Sequence, residues 1–188
     1  MDGAVELALV IGQAAPVTTD DGSGLEALVE AASLGDRIAF GRLYRQFAPM
    51  VHGLLLSRVP YGEVDDLVQD VFLAALRRLK TLRNPAAFGP WLAMIARNRA
   101  LDYYRRSRDT VELPDHLPGR PHPEDEARSV LAAIRSLPEA YRDTLVLRLV
   151  EGMTGPEIAE RTGLTPASVR VNLHRGLKQL REKLGGAS

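Results

Sequence analysis

Cysteine is absent from the 188-residue chain, so neither a disulfide framework nor a thiolate metal site can form, and a reducing compartment is the natural setting. Net charge is absent too, with 24 Lys and Arg against 24 Asp and Glu. A neutral sum gives no global pull toward nucleic acid, but the distribution of charge matters more than its total. Basic residues are missing from the whole stretch before Arg37, where Asp2, Glu6, Asp20, Asp21, Glu26, Glu30 and Asp36 are the charged residues. Long apolar runs are missing as well. The opening Val5-Glu6-Leu7-Ala8-Leu9-Val10-Ile11 stretch is too short to span a bilayer, is interrupted by Glu6 and lacks a basic flank, so it predicts neither an anchor nor a signal peptide. With Gly12, Pro16 and Asp20-Asp21-Gly22-Ser23-Gly24 following, residues 1–24 read as a loose tail of a protein expected in the cytoplasm and off the membrane. A clean two-residue alternation is the last absence. From Leu25 onward the apolar pattern is helical, so the expected fold class is all-α.

What the chain does have is segregated charge. Arg97, Arg99, Arg105, Arg106 and Arg108 against Asp102 form one basic block, and Arg170, Arg175, Lys178, Arg181 and Lys183 against Glu182 form another. Separated basic faces of this kind suggest separate nucleic-acid contacts. Between them, the segment from Asp109 to Glu126 holds Pro114, Pro118, Pro121 and Pro123 among Glu112, Asp115, Glu124 and Asp125. It reads as an extended acidic linker whose carboxylates could shield the basic faces. The length suits two small helical domains, expected at 25–108 and 129–184 with the linker at 109–128.

The C-terminal domain carries the shape of a helix-turn-helix. Thr154-Gly155-Pro156-Glu157 predicts a capping box that starts a short helix, with Thr154 as N-cap and Pro156 tolerated in the first turn. Gly163 supplies a left-handed turn residue, and Thr165-Pro166 opens the next helix as N-cap and N1. In that helix Val169, Leu173, Leu177, Leu180 and Leu184 make an apolar stripe, while Arg170, Val171, His174, Arg175 and Lys178 fall on the opposite face. Such a helix suits the major groove of DNA. A lone histidine on an exposed face is more often a polar contact than a metal ligand, and His174 has no second ligand near it in sequence.

In the N-terminal domain Leu25, Leu28, Val29 and Ala32 predict a first short helix stopped by Gly35. Asp36 predicts the cap of a second, with Phe40, Leu43, Tyr44 and Phe47 inward and a break or kink at Pro49. A long helix is expected from about Glu63 to Leu79, with Leu67, Val68, Val71, Phe72, Ala75, Leu76 and Leu79 as its apolar face. Asn84-Pro85 ends it. A fourth helix, beginning near Pro90, passes through Trp91, Leu92, Ile95 and Leu101 into the arginine block, with Trp91 read as core. On the polar face of the long helix Asp65, Asp66, Gln69 and Asp70 cluster. Two readings of this cluster stay open: a surface for a basic partner, or a solvated acidic face favoured by the helix dipole. A metal site is disfavoured, because no histidine sits near these acids and an octahedral cation wants carboxylates from several elements.

Three stretches together resemble the extracytoplasmic function (ECF) group of bacterial sigma factors: Asp65-Asp66-Leu67-Val68-Gln69-Asp70-Val71-Phe72, Trp91 through Asn98 continuing to Arg106, and Leu137-Pro138-Glu139 through Lys183. The resemblance implies an initiation factor without catalytic residues, cofactor or metal. It implies as partners core RNA polymerase, promoter DNA and an anti-sigma protein. It implies that Asp65, Asp66, Gln69 and Asp70 dock on the polymerase, and that Arg83, Asn84, Phe88, Arg97, Asn98, Arg99, Arg105 and Arg106 meet the melted −10 strand, with Asn98 at the flipped base. It places Thr165, Ser168, Arg170, Val171, His174, Arg175 and Lys178 on the −35 duplex. Val171 and His174 depart from a common family pattern, a small polar residue and a larger aromatic. The main rival is a self-sufficient helix-turn-helix regulator with a ligand-binding or dimerising N-terminal bundle, which would need neither an Asn98-centred arginine helix nor an acidic docking face. A metal-dependent nuclease using Asp65, Asp66 and Asp70 lacks a second carboxylate element, and a helical protein adaptor leaves both basic faces unexplained.

Overall fold

Caps and left-handed glycines set the helix boundaries. In the computed structural model α1 (Gly22–Ser33) stops just before Gly35, which turns at φ 104°. Asp36 then accepts hydrogen bonds on Oδ1 from the amides of Ile38 (2.8 Å) and Ala39 (3.1 Å), and α2 (Arg37–Leu56) begins. The structure describes residues 22–108 and 123–185. The expected tail to residue 21, the linker stretch 109–122 and the side chains of Glu124, Asp125 and Glu126 lie outside the described residues.

The break expected at Pro49 does not occur, because α2 runs through it. An internal proline costs ~3 kcal/mol. Phe47, Met50, Val51 and Leu54, buried on either side of it, each gain ~1.5–3 kcal/mol from staying in one apolar stripe. A 3₁₀ turn (Tyr61–Glu63) leads into α3 (Val64–Arg78), and further 3₁₀ turns at Leu79–Thr81 and Pro85–Ala87 lead into α4 (Phe88–Arg108). The last of these is capped by Asn84, whose Oδ1 accepts from the Ala86 amide at 3.1 Å. Leu76, expected on the apolar face of its helix, is exposed, and so is Leu101. Each lies one step round its helix from a buried alanine, Ala75 or Ala100, beyond the width that the neighbouring helices cover.

The C-terminal half comprises α5 (Pro123–Arg135), α6 (Glu139–Leu149), α7 (Gly155–Thr162) and α8 (Pro166–Gly185). Helix α5 thus starts inside the stretch expected to be linker. The capping box forms as the sequence predicts: the Thr154 amide donates to Glu157 Oε2 at 2.7 Å, and Thr154 Oγ1 accepts from the Glu157 amide at 3.4 Å. Gly163 closes α7 at φ 76°. The Thr165 hydroxyl accepts from the Ser168 amide at 3.1 Å and opens α8.

Among the described residues all regular structure is helical, and the fold is all-α with an N-terminal and a C-terminal domain. The domains are not held apart. Helix α6 packs on α2 and α7 packs on α4, so that Phe47, Leu54 and Phe88 share one apolar core with Leu145, Leu147 and Ile158. Glycine permits the close approach. A Cβ at Gly53 would lie 2.8 Å from Glu151 Cγ, and one at Gly89 would lie 2.8 Å from the Arg161 carbonyl oxygen.

Candidate nucleic-acid interface

On α8 the apolar stripe and the basic face separate as expected. Val169 and Leu180 are buried and Leu173 and Leu177 pack against the core, though Leu184 is exposed near the helix end. Arg170, Val171, His174, Arg175 and Lys178 are exposed. Their guanidinium, imidazole and ammonium groups lie on one exposed face of the helix, which an acceptor-lined groove could receive. Thr165 and Ser168 are spent partly on the helix start, their hydroxyls lying 2.8 Å apart.

Helix α4 carries the other basic face. Asn98, Arg105 and Arg106 are exposed, while Arg97 and Arg99 are half-buried. In the preceding loop Arg83 and Asn84 are exposed, with the Asn84 side-chain oxygen committed to its cap. Phe88 is different. It is 0% exposed, with its ring 5.0 Å from that of Phe47 and 5.9 Å from that of Trp91, so in this conformation it supports the loop from below and cannot meet a base. Trp91, half-buried, packs against the core as expected.

The acidic cluster of α3 lines a groove. Asp66, Gln69 and Asp70 share it with Glu63, Leu73, Tyr103 and Arg106, while Asp65 lies outside the lining. Arg106 therefore faces the acids as well as solvent. Leu73 and Leu76, both exposed on the same helix, add an apolar component that sequence reasoning did not assign to the surface. Among the described residues no group of three or more His, Cys, Asp and Glu could hold a metal ion, and no helix is long and apolar enough to cross a membrane.

The junction between the domains holds polar groups that the sequence reading missed. Arg58 Nη1 and Nη2 donate to Asp143 Oδ1 and Oδ2 at 2.5 and 2.9 Å, and Nη2 also reaches Glu139 Oε1 at 2.6 Å. Arg97 Nε donates to the same Asp143 at 3.3 Å. Burial alone would pull Arg58 down, but hydrogen bonds and charge from Asp143 and Glu139 outweigh it and hold the guanidinium above its ordinary value. Glu139 in turn is held low, chiefly by its hydrogen bond from Arg58. Arg135 of α5 donates to the carbonyls of Leu56 (2.9 Å) and Val59 (2.6 Å), satisfying the C-terminal end of α2 where the helix dipole favours a cation. Buried Arg161 donates to the Gln46 carbonyl at 3.0 Å and lies 5.7 Å from the Phe47 ring centroid. His52 meets Glu151 at 2.8 Å, and that hydrogen bond, against the opposing effect of burial, raises the imidazole above its ordinary value. One sequence signal was available. Glu139, Asp143 and Leu147 fall at steps of four, so acids share a row of α6 with a buried leucine.

Two family models match the chain, Sigma-70 region 2 over residues 43–110 and Sigma-70, region 4 over residues 127–180. RNA polymerase sigma factor CarQ of Myxococcus xanthus is 34% identical over 160 residues, covering 80% of this chain and 92% of CarQ. The ECF RNA polymerase sigma-E factor of Escherichia coli (strain K12) is 32% identical over 178 residues, covering 85% of this chain and 93% of that factor. ECF RNA polymerase sigma factor BldN of Streptomyces coelicolor is 31% identical over 178 residues, covering 88% of this chain and 67% of BldN. Among solved structures, CnrH in complex with the cytosolic domain of CnrY matches with a TM-score of 0.63 at 27% identity, over 88% of this chain and 99% of CnrH. Sigma factor RpoE in complex with the anti-sigma factor NepR from Bartonella quintana has a TM-score of 0.53 at 19% identity, over 78% of this chain and 96% of RpoE, a likeness of fold.

Proposed function

The chain belongs to the ECF group of sigma-70 factors, and from that premise we propose how its surfaces divide the work of promoter selection. It is a transcription initiation factor that binds core RNA polymerase and directs it to promoters; a self-sufficient regulator is not favoured. The chain itself would perform no catalysis. Nucleotide addition would belong to the polymerase, and the factor would act in the cytoplasm where polymerase and chromosome meet.

Domain 25–108 would dock on polymerase through Asp65, Asp66, Gln69 and Asp70, with exposed Leu73 beside them supplying apolar contact. The same domain would hold the melted −10 strand, with Asn98 at an unstacked base and Arg83, Asn84, Arg97, Arg99, Arg105 and Arg106 near the backbone. Domain 129–184 would set α8 in the −35 major groove. There Arg170 and Arg175 would pair with guanine and Val171 would touch a thymine methyl, while Thr165, Ser168 and Lys178 would fix phosphates and His174 would make a polar contact. A regulating anti-sigma protein is a further partner, an idea supported by CnrH having been solved with the cytosolic domain of CnrY.

The observation that carries this division is the exposure of Asn98, Arg105 and Arg106 within one matched region and of Arg170 and Arg175 within the other. In vitro transcription on a genomic fragment library, with core polymerase alone and with the chain added, tests it. Start sites sharing −10 and −35 elements should appear only with the chain. Identical start maps in the two reactions would overturn the reading.

A further inference from the structure

Arg58 sits at the C-terminal end of α2 in an arrangement made for a two-oxygen anion. Its guanidinium is fixed from behind, with Nη1 donating to the Leu54 carbonyl at 3.0 Å and to Ser57 Oγ at 2.8 Å. Its front takes both oxygens of Asp143, and one of those oxygens also accepts from Arg97. The side chains of Arg58 and Asp143 are 9% and 6% exposed. A carboxylate held bidentately by one arginine and touched by a second occupies the position of a backbone phosphate in an arginine clamp. Helix α4 lies alongside: Tyr104 Oη donates to the Arg58 carbonyl at 2.6 Å, so Arg58 adjoins the helix that carries Arg97, Arg105 and Arg106.

We propose that Arg58 is a DNA-backbone contact of the N-terminal domain, paired with Arg97, and that Asp143 and Glu139 of the C-terminal domain are its internal competitors. This rests on the promoter reading above, which brings Arg97 to the −10 strand. With α6 docked, the carboxylates cover the Arg58 guanidinium and Asp143 also holds Arg97 at Nε. With α6 displaced, Arg58 keeps its hold on Leu54 and Ser57 and faces outward as a preorganised anion site, so little ordering cost is left for binding. The exchange is nearly balanced, because a buried ion pair gains in attraction roughly what it loses in hydration. A phosphate that replaces the carboxylate leaves no charge stranded. The acidic cover of this one contact is thus supplied by α6.

Two substitutions open the site by different means. Asp143→Asn removes the competing charge at nearly constant shape. Gly89→Ala leaves every charge in place but drives a methyl group against the Arg161 backbone, which no side-chain rotation relieves. Binding of a fluorescent mixed-sequence forked DNA to the full-length chain is measured by anisotropy across a salt series, with circular dichroism confirming helix content. Each variant should bind about tenfold tighter than the parent at low salt. Adding Arg58→Gln to either should remove most of the gain, leaving only what the released Arg97 supplies, and reduce the slope of log affinity against log salt by about 0.7–0.9, the value of one phosphate contact. A gain that Arg58→Gln leaves undiminished, or no gain in either opened variant, overturns the proposal. The promoter reading is judged separately by the start-site maps: chain-dependent starts with an Arg58-independent gain sink this inference alone, and the absence of such starts sinks the reading whatever Arg58 does.

Discussion

Arg170 and Arg175 stand exposed on α8, with no ion pair to a carboxylate among the described residues. Each is free to make a bidentate base contact, so replacing either with Ala should cost roughly 1–3 kcal/mol against the preferred −35 bases and relax specificity there. Asn98→Ala should leave −35 duplex binding intact and impair promoter melting, since its partner would be an unstacked base. Competition binding and permanganate footprinting on the same proteins separate the two effects, and an Asn98→Ala chain that melts promoters normally would remove that assignment. On α3, reversing Asp66 and Asp70 to Lys should weaken core polymerase binding, more so at low salt than at high. The same-helix leucine gives a control. Leu73→Ser, which removes exposed apolar area without touching charge, should weaken binding with little salt dependence, and a pull-down across a salt series distinguishes the two.

At the scale of the element, α7 and its turn are held by local chemistry that single substitutions can remove. Thr154→Ala deletes the hydroxyl side of the capping box and should lower unfolding stability by about 0.5–2 kcal/mol in urea denaturation. Gly163→Ala should cost more. Its φ of 76° imposes roughly 1–2 kcal/mol on any residue with a Cβ, and that Cβ would also sit 3.0 Å from Pro90 Cγ across the junction. If Gly163→Ala loses no more than the roughly 1–2 kcal/mol that the backbone conformation alone imposes, the contact with Pro90 contributes nothing. Helix α2 gives the opposite lesson, since Pro49 has no N–H to give its interior and the side chains buried on both sides of the proline keep the helix continuous.

At the scale of the whole molecule, the docking of the domains should respond to pH through His52 and Glu151. The docked imidazole lies above its ordinary value of 6.5, so its contribution to docking is fully present below that value and is lost as pH rises through the raised one. The radius of gyration from solution scattering should therefore increase as pH is raised across this window. His52→Gln should flatten the dependence, and a variant with an unchanged pH profile would exclude His52 as its source. Asp65 adds a small contribution to the same upward shift, after the hydrogen bond and charge of Glu151.

Much of this protein was legible in residue order. Caps at Asp36, Thr154 and Thr165, the helix stop at Gly35, the left-handed turn at Gly163, and the stripe of Val169, Leu173, Leu177 and Leu180 are local: each depends on groups within about one helical turn of one another, so spacing suffices to predict them. The exposure of the α8 basic face and of Asn98 follows from the same periodicity. What tertiary structure alone decided is long-range. Arg58 and Asp143 are 85 positions apart and His52 and Glu151 are 99 apart, and no periodicity links residues on different helices. Phe88 reads as part of a DNA-facing loop until Phe47 and Trp91 are seen to enclose it, and Pro49 reads as a break until its helix is seen to pack on both sides of the proline. The sequence determined where the local caps and turns fall and which face of the last helix is polar, whereas the helix through Pro49 and the helix that begins at Pro123 were settled by packing. Whether a polar face meets DNA, a partner or the other half of the same chain was decided by packing, because burial belongs to the assembled surfaces and a single helix carries only the tendency.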